Sequence, residues 1–310
     1  MEKYFQEFAA AMQAPGAYHP GTVTSYLGDL RTGWETMSQI AGRPVTLEDL
    51  SPELILAMVE AELDRGRKRS TIQRRIASWR AFERFLLAQG YLSESFLPSR
   101  EALAPLWERA QAPHPPTCLT SEQLQRLWEV LLRSDQRRAV RDLALIALFA
   151  EWGFPSQTLI GLRLEDIDLE RRVLYVPRPI IGVDEFPLEA SYEPLRRYLL
   201  QGRQEFDPKP GEFALFVSQL GRGLSRQGVW QLVQGWGRVA ELPLKLTPRV
   251  LRNTAVYRMI RLNVPVERIQ AALGHANAIS TTILIRRIQR LCGNLPTPHL
   301  PMYPTDTKGS

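Results

Sequence analysis

Cysteine is scarce in this sequence: Cys118 and Cys292 are the 2 cysteines among 310 residues. They lie far apart and form no CxxC pair, so neither a disulfide framework nor a zinc site is supported and a reducing compartment is expected. Long apolar runs are also missing. None reaches the roughly 18 residues of a membrane span, and the N-terminus lacks the apolar core of a signal peptide. These absences predict a soluble, cytoplasmic protein with no metal site.

The composition is typical of a soluble globular protein, with 44% hydrophobic and 23% charged residues. The length allows two domains, each with its own core. Lys and Arg outnumber Asp and Glu by 39 to 33, a net charge of +6. With a sequence pI of about 9.5, this surplus fits a polyanionic partner such as nucleic acid.

The first predicted domain covers residues 1–110 and is helical, because its apolar residues recur at helical spacing. Ser70 is expected to cap a helix whose buried stripe includes Trp79 and Phe82. A basic cluster around the start of this helix is expected to lie on the outside. Its members are Arg65, Arg67, Lys68, Arg69, Arg74 and Arg75. Two interpretations remain open for it: phosphate contacts at a helix N-terminus, or a solvated surface turn.

Proline marks the boundaries of the second part of the chain. Residues 111–119 are predicted to form an extended linker that contains His114. The second domain follows as residues 120–292, and residues 293–310 are predicted to be a flexible tail. This organisation places one helical domain before, and a larger mixed domain after, a short proline-rich connection.

The second domain is predicted to be mainly helical with a small β-hairpin. Thr120 and Ser225 are expected at helix starts. Arg172–Val176 and Glu185–Leu188 are expected to be the hairpin strands, and Phe213–Ser218 is a candidate third strand. The tryptophans expected in the cores of the two domains are Trp79, Trp128, Trp230 and Trp236.

Leu246 to Ile288 carries the strongest local signals. A helix is predicted to begin at Thr247-Pro248 and to break at Asn263–Pro265. A second helix is predicted to end at Leu273, before a Gly274-His275 stop, and a third to begin near Ser280. The stretch therefore predicts three consecutive helices.

Three segments of the second domain resemble motifs of the tyrosine recombinases of the phage integrase and Xer type. GLRLEDIDL at Gly161–Leu169 resembles their LxxxDID stretch, and TPRVLRNT at Thr247–Thr254 resembles TPHxLRHT. LGHANAISTT at Leu273–Thr282 resembles LGHxxIxTT with one extra residue. The resemblance covers nearly the whole chain. It implies a helical core-binding domain and an integrase-like catalytic domain that together clamp duplex DNA.

The resemblance also implies the chemistry. In that family a tyrosine attacks a DNA phosphodiester, so no cofactor is needed, while two arginines and a histidine stabilise the transition state and a lysine protonates the leaving group. Two of the family positions are retained, Arg252 and His275. Four are replaced: Pro155 stands for the first arginine, Pro179 for the hairpin lysine, Arg249 for the histidine base and Ile285 for the tyrosine.

These replacements predict a catalytically inactive homologue that still clamps duplex DNA, with a second copy of itself or an active recombinase as candidate protein partners. Arg249 and Arg252 are added to the DNA-binding candidates, although structural retention of Arg252 and His275 is the competing interpretation. Two other functions stay open. One is an active recombinase or integrase that uses a relocated tyrosine, with Tyr257 and Tyr303 as candidates. The other is a protein-interaction module on the same fold.

Overall fold

The computed structural model describes residues 1–13, 20–109, 118–178, 182–275 and 278–301. His114, Pro179 and Tyr303, which the sequence analysis singled out, lie outside these residues. The chain divides into two compact units, Met1–His114 and Pro115–Ser310. The division falls inside the predicted linker. Cys118 and Leu119, which were predicted to belong to that linker, are buried in the second unit.

The first unit is a helical bundle around an aromatic core. Phe5, Trp79 and Phe82 are fully buried, and the rings of Phe5 and Phe82 lie 5.2 Å apart. Its helices are α1 (Glu2–Met12), α2 (Pro20–Ala41), α3 (Pro52–Asp64), α4 (Arg69–Ala88) and α5 (Arg100–Arg109). The helical prediction for this part of the chain is confirmed.

The predicted capping role of Ser70 is wrong. Helix α4 begins at Arg69, and its N-cap is Lys68, whose backbone is extended and whose side chain makes no capping hydrogen bond. The carbonyl of Lys68 accepts from the N–H groups of Thr71 and Ile72. Ser70 therefore lies inside the first turn, where its hydroxyl cannot reach the free N–H groups that an N-cap serves.

The second unit contains eight α-helices within its described residues. They are α6 (Ser121–Leu132), α7 (Arg138–Trp152), α8 (Ser156–Gly161), α9 (Tyr192–Arg197), α10 (Arg226–Val239), α11 (Pro248–Arg261), α12 (Val266–Leu273) and α13 (Ala278–Cys292). Short 3-10 turns lie at Leu164–Asp166 and Gln204–Phe206, and a π-helical turn at Tyr198–Gly202. The three helices predicted between 246 and 288 are confirmed as α11, α12 and α13.

Local signals explain where several of these helices begin and end. Thr120 forms a reciprocal capping box with Gln123 at the start of α6. Ser225 accepts a hydrogen bond from the Gly228 N–H at 3.0 Å and caps α10. Gly153 has a φ of 69° and ends α7 in the left-handed conformation. Helix α7 is buried along most of its length, so it forms the centre of the unit.

The sheet is a small antiparallel one, ordered β1 (Ile167–Asp168), β2 (Val173–Arg178) and β3 (Gly182–Pro187). The predicted hairpin is confirmed, with Leu174 opposite Phe186. The third strand predicted at Phe213–Ser218 is wrong. That segment makes isolated bridges, because its buried residues bond in turn to Leu162 and to the loop at Arg222 instead of to one continuous partner.

Two other predictions are corrected by packing. Trp230 is 40% exposed, because α10 buries the face that carries Val229, Val233 and Trp236. Residues 293–301 lie along the second unit although a flexible tail was predicted, and the N–H of His299 donates to Ser121 Oγ at 3.1 Å. Among the helices that the structure describes, none is long and apolar enough to cross a membrane.

Candidate functional site

A cleft of about 850 Å³ opens in the second unit. The start of α8, the helices α10, α11 and α13, and the turn after α12 contribute its walls. Its described lining includes the cationic residues Arg226, Arg249, Arg252 and Arg287, together with His275. No carboxylate is found among the described lining residues. Clustered cations create a positive potential, which suits a polyanionic ligand.

The start of α11 positions two of these arginines. The hydroxyl of Thr247 accepts from the Val250 N–H at 3.3 Å, and Pro248 occupies the first helical position. Arg249 and Arg252 are three residues apart, so they share one helix face. Arg249 is exposed, and it makes no hydrogen bond or ion pair with a described residue.

Arg252 is held more tightly. Its Nη2 donates to the carbonyl of Leu273 at 3.2 Å and lies 3.0 Å from Nε2 of His275. Burial, and then the nearby charge of Arg249, lower the pKa of Arg252. Its Nε is buried and has no hydrogen-bond partner among the described residues. Arg252 is thus a cleft residue whose guanidinium is held by contacts within the protein.

The tautomer of His275 follows from its neighbours. A guanidinium can only donate hydrogen bonds, so Nε2 of His275 must accept from Arg252. Nδ1 then carries the proton and donates to Thr281 Oγ1, 2.9 Å away. Burial, and then the charge of Arg252, lower the pKa of His275. The ring is therefore neutral at pH 7, and Gly274, with a φ of 65°, ends α12 so that the ring can reach Arg252.

The positions that the resemblance predicted to be replaced lie in different surroundings. Pro155 lines the cleft, and it has neither a charge nor an N–H to offer. Arg178, the residue before Pro179, is turned to other partners: its Nε lies 2.9 Å from Asp184 Oδ2, and its guanidinium also donates to the Ala271 carbonyl. It is not a free cation at the cleft.

The position predicted for the nucleophile does not line the cleft. Ile283, Leu284 and Arg287 of α13 line it, while Ile285 is partly buried against a cluster that includes Val256. Tyr257, one of the two candidate substitutes, is 1% exposed, and its hydroxyl donates to the Leu295 carbonyl. This confirms the interpretation of Tyr257 as a packing residue.

Sequence reasoning missed three residues of the cleft. Arg226 lies at the first position of α10, and Arg287 lies on the last turns of α13. Trp230 also lines the cleft, with Nζ of Lys245 5.4 Å from its ring centroid. Their residue types gave a weak signal. Exposed arginines are common on helices, and nothing in a single helix shows which cavity its face will line.

The basic cluster of the first unit is largely engaged within that unit. Arg75, predicted to lie outside, is only 6% exposed. Its Nη1 lies 2.5 Å from Glu62 Oε2 and its Nε lies 3.9 Å from Asp29 Oδ1. Arg74 also pairs with Asp29, and Arg65 with Glu62 at 3.4 Å. The predicted exposure of Arg75 is wrong, because two acidic residues on neighbouring helices draw it inward.

The remaining cations of that cluster differ in exposure. Lys68 is exposed, and the side chain of Arg67 is 61% exposed, with its Nε 4.0 Å from Glu62 Oε2. Arg69 is half-buried and lies over the ring of Trp107 at 5.4 Å. Lys68 and Arg67 are therefore the members best placed to meet a partner from solvent.

A helical bundle followed by a mainly helical unit with a small antiparallel sheet and an arginine-lined cleft defines an integrase-like class of protein. Residues 117–287 match the phage integrase family, and residues 5–90 match the phage integrase N-terminal SAM-like domain. The chain belongs to the phage integrase family, that of the tyrosine recombinases. The family expectation from the sequence is confirmed.

Similar proteins cover both units. Tyrosine recombinase XerC of Roseiflexus castenholzii is 28% identical over 291 residues, 90% of this chain and 86% of that protein. Tyrosine recombinase XerD of Oceanobacillus iheyensis is 27% identical, over 91% of this chain and 92% of that protein. Among solved structures, the Tn1549 transposon integrase in complex with a circular intermediate DNA superposes with a TM-score of 0.71 at 17% identity, covering 91% of this chain and 94% of that one. The XerH recombinase bound to its palindromic difH substrate gives a TM-score of 0.67 at 15% identity, covering 94% and 92%.

Proposed function

We propose that this protein binds duplex DNA at the cationic cleft and does not cut it by the tyrosine route of its family. The observation that supports this proposal is the set of residues that line the cleft. Arginines from α10, α11 and α13 line it, and the position expected for the nucleophile packs elsewhere. The cleft is suited to holding a phosphodiester, and no tyrosine is among the described residues that line it.

The DNA-binding part rests on charge. Binding a polyphosphate releases condensed counterions when cations replace them, and arginine meets phosphate oxygens with paired N–H donors. Arg249 is exposed and makes no hydrogen bond or ion pair with a described residue, and Arg252 lines the same cleft. The two DNA-bound neighbours named above have the same fold. In the first unit, Lys68 and Arg67 are proposed as additional contacts, while Arg75 is not.

The loss of cleavage rests on chemistry. A covalent phosphotyrosine needs a tyrosine oxygen at the phosphodiester, and none of the described lining residues supplies one. Removing a single charge-stabilising donor from such a site typically costs about 3 to 4 kcal/mol, and Pro155 cannot supply the one it replaces. Tyr257 is buried and already bonded, so it is not a substitute. The proposed role is a non-cutting DNA-binding subunit, acting by itself or beside an active recombinase.

Two assays test the two parts separately. Anisotropy titrations with labelled duplex should show an affinity that falls steeply as salt increases, as phosphate contacts require. Weak binding that does not change with salt would refute DNA binding and would leave a protein-interaction module as the better explanation. A nicked suicide duplex, which traps a covalent protein–DNA adduct, should give no adduct on a denaturing gel. An adduct that disappears on Tyr303→Phe would establish an active recombinase with a relocated tyrosine.

A further inference from the structure

The two cysteines, 174 positions apart in the chain, face each other. Cys118 and Cys292 are 5% and 2% exposed. Their sulfur atoms lie 2.7 Å apart, and no disulfide joins them. A disulfide has an S–S distance of about 2.05 Å, so closing the bond requires a relative movement of roughly 0.7 Å. Cys118 is the first described residue of the second unit, and Cys292 is the last residue of α13, so the two ends of the unit's helical part meet here.

The backbone on both sides of the pair is held in place. The N–H of Leu119 donates to Thr254 Oγ1 on α11 at 2.8 Å, which fixes the chain beside Cys118. On the other side, the carbonyl of Cys292 accepts from the Leu295 N–H at 2.9 Å. Both side chains belong to one buried cluster, which also contains Ile288 of α13. The thiols are therefore held together by the packing of three separate segments.

The two thiols also differ in the direction in which the fold shifts their pKa. The hydrogen bond between the two thiols lowers the pKa of Cys292, whereas the same bond and burial raise the pKa of Cys118. Cys292 is thus the thiol that ionises more readily, and the thiolate is the nucleophile in disulfide exchange.

We propose that Cys118 and Cys292 form a reversible intramolecular disulfide in exchange with a low-molecular-weight disulfide such as oxidised glutathione. The Cys292 thiolate attacks one sulfur of the small disulfide, forming a mixed disulfide and releasing one glutathione thiolate. Cys118 then loses its proton and attacks the Cys292 sulfur, which releases the second. Two protein thiols are oxidised, and one small disulfide is reduced to two small thiols.

The bond would act on the unit that contains the cleft. It would join the chain just before α6 to the end of α13, so that helices α6 to α13 lie within one covalent loop. A cross-link of this length restricts the unfolded chain strongly. It would also anchor the C-terminal end of α13, whose cleft wall includes Leu284 and Arg287. The competing explanation is that the two cysteines pack only as small apolar side chains.

The test uses the full-length protein and oxidised glutathione. The folded protein is incubated with a glutathione redox buffer, and the denatured protein is refolded in the same buffer, which removes the barrier that burial sets to access. We expect a mass lower by two hydrogens, a non-reducing peptide map that links the Cys118 and Cys292 peptides, and a Tm higher by about 5 to 10 °C. Reductant should reverse all three changes.

Single variants Cys118→Ser and Cys292→Ser provide the matched controls, and each should lose the linked peptide and the rise in Tm. The wild-type protein alone decides the outcome if a variant folds poorly. A refolded protein that remains a dithiol, or that retains a glutathione adduct on one cysteine, would overturn the proposal. Neither result depends on DNA binding, so this inference and the proposed function can fail independently.

Discussion

Replacing Arg249 by alanine should weaken DNA binding without destabilising the fold. The side chain is exposed and makes no hydrogen bond or ion pair with a described residue, so its removal leaves no buried group without a partner. It also removes the smaller of the two causes, after burial, that lower the pKa of Arg252. A hydrogen bond from a cation to phosphate contributes about 1 to 2 kcal/mol at an exposed site. The expected loss is therefore about 5- to 30-fold in affinity.

The salt dependence provides a second, independent measurement. Each phosphate contact contributes about 0.9 to the slope of log affinity against log salt concentration, so Arg249→Ala should reduce the slope by about that amount. Fluorescence anisotropy with one labelled duplex over a salt series measures both quantities. Arg249→Lys retains the charge and should retain most of the slope. Unfolding midpoints of the variants should match that of the wild type.

Arg133→Ala is the matched control, because it removes the same charge from the same unit. The Arg133 side chain is 81% exposed, lies 3.8 Å from Glu129, and is not among the cleft residues. It should leave affinity nearly unchanged. An unaltered affinity and slope for Arg249→Ala would refute the cleft as the phosphate site. An equal loss for both variants would show that only net charge matters.

Three further predictions follow from the site and its support. The pKa of His275 is lowered in the fold, so the unfolded state binds more protons once the pH falls below the ordinary histidine pKa of about 6.5. The contribution of His275 to stability should therefore be complete above that pH and should be lost as the pH drops toward the lowered pKa. In His275→Gln, the unfolding free energy should depend less on pH across this window. Trp236→Phe should destabilise the second unit by about 1.5 to 3 kcal/mol in denaturant titrations, since the indole N–H donates to the buried Asp142 carboxylate at 2.7 Å. Ile285→Tyr alone should give no covalent adduct with a nicked suicide duplex, because residue 285 packs against the core and does not line the cleft; an adduct would show that the helix turns to present it.

Local chemistry made several elements predictable. The adjacent residues Thr247 and Pro248 specify where α11 begins. Gly274 specifies where α12 ends, because glycine readily adopts a positive φ. The hairpin was predictable for the same reason, from apolar residues that alternate over short runs. Signals of this kind lie within a few residues of the structure they determine, so a sequence window contains all of them.

Other features depended on residues remote in the chain. Arg75 is buried because Glu62 and Asp29, on two other helices, neutralise it. The sequence of α4 taken alone has the pattern of a helix with an exposed basic face. Trp230 has the apolar character of a core residue, but the packing of α10 turns it to the cleft. Periodicity gives the faces of a helix and does not give the neighbours that each face meets.

The sequence by itself determined the family and the order of the helices, and it was enough to predict that Ile285 stands at the nucleophile position. These depend on motif residues and on their spacing along the chain. Only the tertiary structure decided that Arg226 and Arg287 join Arg249 and Arg252 at one cleft, and that Cys118 meets Cys292. The physical reason is that such meetings are fixed by many weak packing contacts between distant segments, which no local stretch of sequence contains.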